Sequence, residues 1–235
     1  MVYKNKTIES NFFLKKFSHL RRFDIAIDLL GFNENDFFLD YGTQDGYLIS
    51  KIVNNLNQPK ILFGYEPVSL EFKKLGQKLN TNDKNNVFFS SELNLIIKKY
   101  PKFNKISCLE VLEHMTSFNQ DKILKDLSAL LENNGKIIIS VPIEIGIAGF
   151  LKNIIRYFIG QKHEDSTLAN IFKSLFGMKI LRQENNFINS HIGFNYKDLE
   201  KLIYKNNFII YKKVYSPFTF IGPFINSQVF YVLIK

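Results

Sequence analysis

Only one cysteine, Cys108, occurs in 235 residues. That excludes an intramolecular disulfide framework and a multi-cysteine metal site, and it fits a reducing compartment. No pair of His or Cys residues falls at ligand spacing, so no metal is expected. Gly-x-Ser-x-Gly is missing, which removes the hydrolases built on that nucleophile turn. No window of about eighteen uncharged apolar residues is present, so no spanning helix is expected. No export signal is expected at the start, because Met1 to Lys6 is polar and Lys15, Lys16, Arg21 and Arg22 interrupt the next stretch. Internal repeats and low-complexity linkers are also absent. The expectation is a single cytoplasmic domain over residues 1–235.

Acidic residues are the minority, 22 against 31 basic, for a net charge of +9. The excess is scattered in short pairs such as Lys73-Lys74 and Lys212-Lys213, which reads as a solvated basic surface rather than a nucleic-acid groove. With 46% apolar residues the chain has ample material for a core.

Residues 1–31 read as one or two amphipathic helices, with Phe12, Phe13, Phe17, Leu20, Phe23, Ile27 and Leu30 at helical spacing and Gly31 as the stop. Apolar runs then alternate with helical patterns. Phe37 to Asp40 is a strand, followed by a glycine turn and a helix from Tyr47. Lys60 to Glu66, Val87 to Phe89, Lys105 to Glu110 and Lys136 to Val141 are four more strands, with helices expected over 69–79 and 120–131 and a turn at Asn133-Asn134-Gly135. This alternation predicts an α/β fold with a doubly wound parallel sheet. Residues 143–193 break the rhythm as a helical insertion. A helix from Tyr196 to Lys205 and two late strands, Phe208 to Tyr215 and Val229 to Ile234, complete the chain. The link between those strands is too short for a crossover helix, so they are expected to pair antiparallel.

In such a sheet, ligands bind where strand ends, loops and helix N-termini converge. The first strand leads into Asp40-x-Gly42-x-x-x-Gly46, a turn with no side-chain bulk at two positions, where a ligand can approach the backbone. Glu66 ends the second strand about twenty residues on, the place of a carboxylate that accepts from vicinal ribose hydroxyls.

Phe38-Leu-Asp-Tyr-Gly-Thr-Gln-Asp-Gly-Tyr-Leu48 resembles the first motif of the class I S-adenosylmethionine-dependent methyltransferases. Gly64-Tyr-Glu-Pro67 is similar to their second motif. Cys108-Leu-Glu-Val-Leu-Glu-His-Met115 is similar to the Glu-Val-Leu-Glu-His segment of the small-molecule branch, and Gly135 to Pro142 to the fifth-strand motif. These matches stand in the family's order over roughly residues 36–142. The resemblance implies a Rossmann-like seven-stranded sheet with an antiparallel last strand and S-adenosyl-L-methionine as cofactor. It assigns Asp40, Gly42 and Gly46 to the cofactor's amino-acid end, Glu66 to its ribose, Ser91 and Glu92 to the adenine, and Leu109 and Glu110 to the methionine portion. Gln44 stands where the family's middle glycine belongs and joins this set. Asn104-Lys105 stands where an acidic residue is common before the fourth strand.

Methyl transfer from a sulfonium is an in-line displacement, for which positioning and desolvation supply most of the acceleration. An acceptor hydroxyl or amine must also lose a proton, and His114 and His191 are the candidate bases. Glu110 to His114 replaces the Asn-Pro-Pro-aromatic run of enzymes that methylate base amines. That favours a small-molecule or lipid-linked acceptor, such as a sugar or cell-envelope intermediate, over nucleic acid. The insertion is apolar and basic, with Ile147, Phe150, Leu151, Ile154 and Phe158 beside Lys152 and Arg156. It reads as a lid over the acceptor or, over 143–181, as a peripheral contact with the inner membrane face. Two alternatives stay open: a non-catalytic nucleotide- or partner-binding protein in which Gln44 blocks the cofactor, and an RNA methyltransferase.

Overall fold

The computed structural model describes residues 13–54, 58–68, 86–100, 102–160, 165–182 and 188–235, with side chains of the first helix described from Leu20. The helix expected over 69–79, the segment before Phe13, and His163 lie outside the described residues. Seven strands form one sheet: β1 (Phe37–Tyr41), β2 (Ile61–Tyr65), β3 (Val87–Ser90), β4 (Phe103–Leu109), β5 (Leu131–Pro142), β6 (Ile209–Ser216) and β7 (Gln228–Ile234). Their order is β3-β2-β1-β4-β5-β7-β6. β7 lies between β5 and β6 and runs antiparallel to both, while the ladders from β3 to β5 are parallel. The chain reverses its direction of travel across the sheet between β1 and β4, the switch point at which ligands collect.

Neighbouring strand residues serve opposite faces, so both must be apolar. Leu39, Ile137, Ile139 and Tyr231 belong to one core, with residues of α4 (Ser117–Leu130) and α7 (Tyr196–Lys205). Phe38, Ile138, Phe230 and Val232 belong to the other, with residues of α1 (Phe13–Leu30) and α2 (Tyr47–Val53). The remaining helices among the described residues are α3 (Leu93–Lys99), α5 (Gly146–Phe158) and α6 (Leu168–Leu175).

Two boundaries differ from the sequence reading. α4 begins at Ser117, three residues earlier than expected, because the Thr116 hydroxyl accepts the Asn119 N–H at 3.3 Å and caps the first turn. The expected turn at 133–135 lies inside β5. Phe103 pairs with Leu131 and Lys105 with Lys136, so the intervening residues loop out of the ladder. Gly135 permits this, since a Cβ there would sit 2.7 Å from Leu131 Cδ1 and 3.0 Å from the Asn104 carbonyl.

The departure at Asn104 has a structural use. Its side chain accepts the Phe37 N–H at 2.8 Å and donates to Asp36 Oδ1 at 2.6 Å, tying the entry of β1 to β4. In the insertion, Phe150, Ile154 and Tyr157 of α5 pack on Ile171, Ile180 and Ile192. Gly149 lets α5 close on the chain before it, because a Cβ there would meet Glu144 main-chain atoms at 2.3 to 3.0 Å. Lys152 and Arg156 turn inward to the buried Glu144 instead of flanking an outer apolar face. Ile147, Leu151, Ile155 and Phe158 stay exposed. Among the described residues, no helix is long and apolar enough to cross a membrane.

Candidate active site

At the switch point the tips of β1 and β4 diverge beside α1. The cleft between them holds about 370 Å³, including its open mouth. Asp40, Gly42, Gln44, Leu109 and Glu110 line it, as do Arg22, Phe23, Thr43, Asp45, Tyr47 and Leu48. Five residues singled out in the sequence therefore meet in one cavity.

The β1 loop is built around left-handed residues: Gly42 at φ +83°, Gln44 at +49° and Gly46 at +72°. At Gly42 the protein itself sets the constraint. A Cβ there would lie 2.5 Å from Val111 Cγ2, so the Glu110-Val111 turn after β4 needs the missing side chain as much as a ligand would. Gly46 stands at the N-cap of α2, outside the cleft lining.

Asp40 is buried and accepts from the Ser107 hydroxyl at 2.6 Å. Burial pushes its carboxyl up to about 6, against the opposing effect of that hydrogen bond. Glu110 sits at φ +55°, accepts from Ser140 Oγ at 3.1 Å and pairs with Arg22 at 3.5 Å. Glu66 is buried just outside the lining. Its Oε2 accepts the Gln44 N–H and its Oε1 the Val68 N–H, each at 2.9 Å. A carboxylate offers about four acceptor positions, so two main-chain amides fix its orientation without exhausting it. Ser91 and Glu92 follow β3, apart from the cavity, where the Ser90 hydroxyl accepts the Glu92 N–H at 3.0 Å.

Arg22 and Phe23 are not legible in the sequence as site residues. Arg22 reads as half of a surface basic pair, yet it is 3% exposed and its guanidinium lies 4.8 Å from the Phe23 ring centroid. The available signal is its position three and four residues before the buried Ile25 and Ala26, on the inward face of α1.

Beyond the β4 tip, a short 3-10 turn over Leu112–His114 carries the second half of the Glu-Val-Leu-Glu-His segment. Glu113 is fully buried, and neither carboxylate oxygen has a hydrogen-bond partner among the described residues. Burial, then the Glu110 charge, pushes its carboxyl well above the usual range. His114 Nδ1 lies 2.8 Å from the Ile188 carbonyl. A carbonyl only accepts, so Nδ1 bears a proton, and in the neutral imidazole that leaves the lone pair on Nε2. The His191 ring stands 4.9 Å from that of His114, nearly edge-on. Burial lowers the His191 imidazole to about 3, despite the nearby Glu144 charge. The two candidate bases are brought together by lacing at their main chains. The Ile188 N–H donates to the His114 carbonyl at 2.8 Å, and Arg182 donates to the carbonyls of Glu113 and Ser190.

Behind His191, Glu144 is held by Lys152 Nζ at 2.7 Å, Asn153 Nδ2 at 3.1 Å and Arg156 at 3.5 Å. Burial would raise its carboxyl, but the two cations more than offset this and leave it at about 2.

A parallel sheet of this order with an antiparallel seventh strand and a glycine-turn cleft at its switch point defines the class I methyltransferase fold. Residues 18–175 match the family model described as a methyltransferase domain. The chain belongs to that family, whose members use S-adenosylmethionine. No curated protein sequence matches the chain. Solved structures share the fold at low identity. Magnesium protoporphyrin IX methyltransferase from Synechocystis, with bound S-adenosylhomocysteine, aligns at TM-score 0.59 and 13% identity over 96% of this chain and 89% of that one. An S-adenosylmethionine-dependent methyltransferase from Clostridium acetobutylicum aligns at 0.61 and 13% identity over 98% and 95%. A mycolic acid cyclopropane synthase, complexed with S-adenosylhomocysteine and CTAB, aligns at 0.61 and 10% identity over 97% and 88%.

Proposed function

We propose that this protein transfers a methyl group from S-adenosylmethionine to a small or lipid-linked acceptor, a sugar or other cell-envelope intermediate. The observation that carries the reading is the meeting of Asp40, Gly42, Gln44, Leu109 and Glu110 around one cleft at the switch point, with the insertion tied to the turn after β4. In this reading Asp40 and the loop amides take the amino-acid end of the cofactor, and Glu66 takes the ribose. Ser91 and Glu92 border the adenine, while Leu109 and Glu110 flank the methionine chain. The donor supplies an electrophilic methyl on a sulfonium. The protein holds the acceptor in line with it and excludes water.

His114 and His191 face the side from which the acceptor arrives and handle its proton. The CTAB held by the mycolic acid cyclopropane synthase, a protein of the same fold, supports an apolar or lipid-linked acceptor here. The exposed Ile147, Leu151, Ile155 and Phe158 favour a second reading of the insertion, as a surface that meets a membrane carrying the acceptor.

Calorimetry with S-adenosylmethionine and S-adenosylhomocysteine tests the proposal. Saturable binding of both is expected, and a folded sample that binds neither overturns it in favour of a non-catalytic protein.

A further inference from the structure

The sequence offers no local metal motif, but the fold assembles a ligand set from distant parts of the chain. The carboxylate of Glu113 and one ring nitrogen each of His114 and His191 lie within 4.8 Å of one another. We propose that these three side chains bind a divalent first-row transition ion that receives the acceptor's hydroxyl oxygen.

Three observations besides proximity carry this. The first is Glu113, fully buried with both oxygens lacking a hydrogen-bond partner among the described residues, although an uncompensated buried carboxylate is costly. The second is the Nδ1–H of His114, committed to the Ile188 carbonyl. A ligating histidine is commonly oriented in this way, with its other nitrogen donating to a carbonyl and the lone pair aimed at the ion. That nitrogen, Nε2, faces Glu113 Oε1 at 3.8 Å. Two ligands with bonds of about 2.1 Å to one ion stand at most about 4.2 Å apart, so only a small side-chain rotation closes the set. The third is the lacing by Arg182 and Ile188, whose bonds to the main-chain carbonyls of Glu113, His114 and Ser190 hold the His191 segment against the turn that carries Glu113 and His114.

Two imidazoles and one carboxylate suit zinc, cobalt, iron or manganese better than magnesium, which prefers oxygen. Three protein ligands also leave coordination positions open. The consequence for catalysis rests on the methyl-transfer reading. An acceptor hydroxyl bound to the ion loses its proton to water at near-neutral pH. The oxygen lone pair then forms the C–O bond as the S–CH3 bond breaks, and the sulfur keeps that bonding pair in S-adenosylhomocysteine. In this arrangement the histidines handle the acceptor's proton through the ion they hold, which acidifies the bound hydroxyl.

The test is titration of the chelator-stripped full chain with Co2+ and Zn2+, followed by visible absorption and calorimetry, in wild type, Glu113→Gln and His191→Ala. One equivalent is expected to bind, and each variant is expected to lose more than about a hundredfold in affinity, beyond the loss typical of an outer-shell partner. No binding, or binding unchanged by His191→Ala, overturns the proposal. Because Glu113 is buried, Glu113→Gln is read only if circular dichroism shows it folded, and His191→Ala decides otherwise. S-adenosylhomocysteine binding, measured in parallel on stripped protein, is expected to persist. If metal binds while the nucleoside product does not, the methyl-transfer reading fails and the metal site stands.

Discussion

Glu66 Oε2 accepts the main-chain N–H of Gln44 at 2.9 Å, so the acid at the end of β2 and the left-handed residue of the β1 loop hold each other in place. The position that departs from the family's glycine is therefore joined through its backbone to the carboxylate assigned to the ribose. Glutamine is tolerated there because the contact is made by the amide and not by the side chain.

Glu66→Ala removes the acceptor of two main-chain amides as well as the proposed ribose contact. Affinity for S-adenosylhomocysteine is expected to fall one to two decades, the equivalent of about 1.5 to 3 kcal/mol for a charge-assisted bond. The melting temperature is expected to fall too. Calorimetry and a thermal melt on the same sample check both, and unchanged affinity removes Glu66 from the site.

Gln44→Gly relieves a non-glycine residue at φ +49° while keeping the N–H that Glu66 accepts. The left-handed conformation costs an ordinary residue about 1 kcal/mol, partly offset by the greater freedom of glycine in the unfolded chain. The variant is expected to be at least as stable as wild type and to bind the cofactor product at least as tightly. A loss of tenfold or more would instead make the Gln44 side chain a ligand contact.

If Asp40 takes the amino-acid end of the cofactor as proposed, binding acquires a pH dependence. Its carboxyl is held at about 6 in the folded chain, above the ordinary 3.8. The folded state therefore binds more protons between those values, and stability falls as pH rises through that window. The cationic cofactor needs the ionised form, so affinity is expected to weaken as pH drops below about 6, by up to tenfold per unit. Calorimetry from pH 5 to 8 measures this, and a flat profile separates Asp40 from the ligand. In Asp40→Asn the dependence is expected to vanish.

Lys152→Met removes the closest cation from Glu144, which is fully buried. Breaking a buried pair from one side costs about 3 to 5 kcal/mol, a loss visible in urea unfolding at pH 7. Glu144 is held at about 2 in the wild type, so its stabilisation is present above the ordinary carboxylate range and lost as pH falls through about 2. Adding Glu144→Gln to Lys152→Met is expected to recover most of the loss. If the single variant is as stable as wild type, the ion pair contributes nothing.

The sheet is legible in the sequence because strands covered on both faces must be apolar on both. The runs ending at Asp40, Glu66 and Glu110 stand out as such, and the acidic ends at Asp40 and Glu110 line the cleft while Glu66 braces its loop from outside. The terminal strands are also legible, since the short link after Tyr215 forbids a crossover. The helix face of Arg22 is harder to read, because a basic residue beside another basic residue looks solvent-facing until its neighbours at three and four positions are weighed. The 133–135 segment misleads because Asn-Asn-Gly carries turn chemistry whether it ends a helix or loops out of a strand. The approach of His191 to His114 leaves no local trace at all: it depends on main-chain bonds made by Ile188 and on Arg182, long-range contacts that no window of sequence contains.

Those same bonds anchor the far end of the insertion to the turn after β4, while its near end grows directly out of β5. With both feet planted on the sheet, the stretch between them is free to vary in length and lining while the histidine pair keeps its place. On the proposed reading, acceptor choice and the methyl-donor cradle thus become separately adjustable parts of one chain.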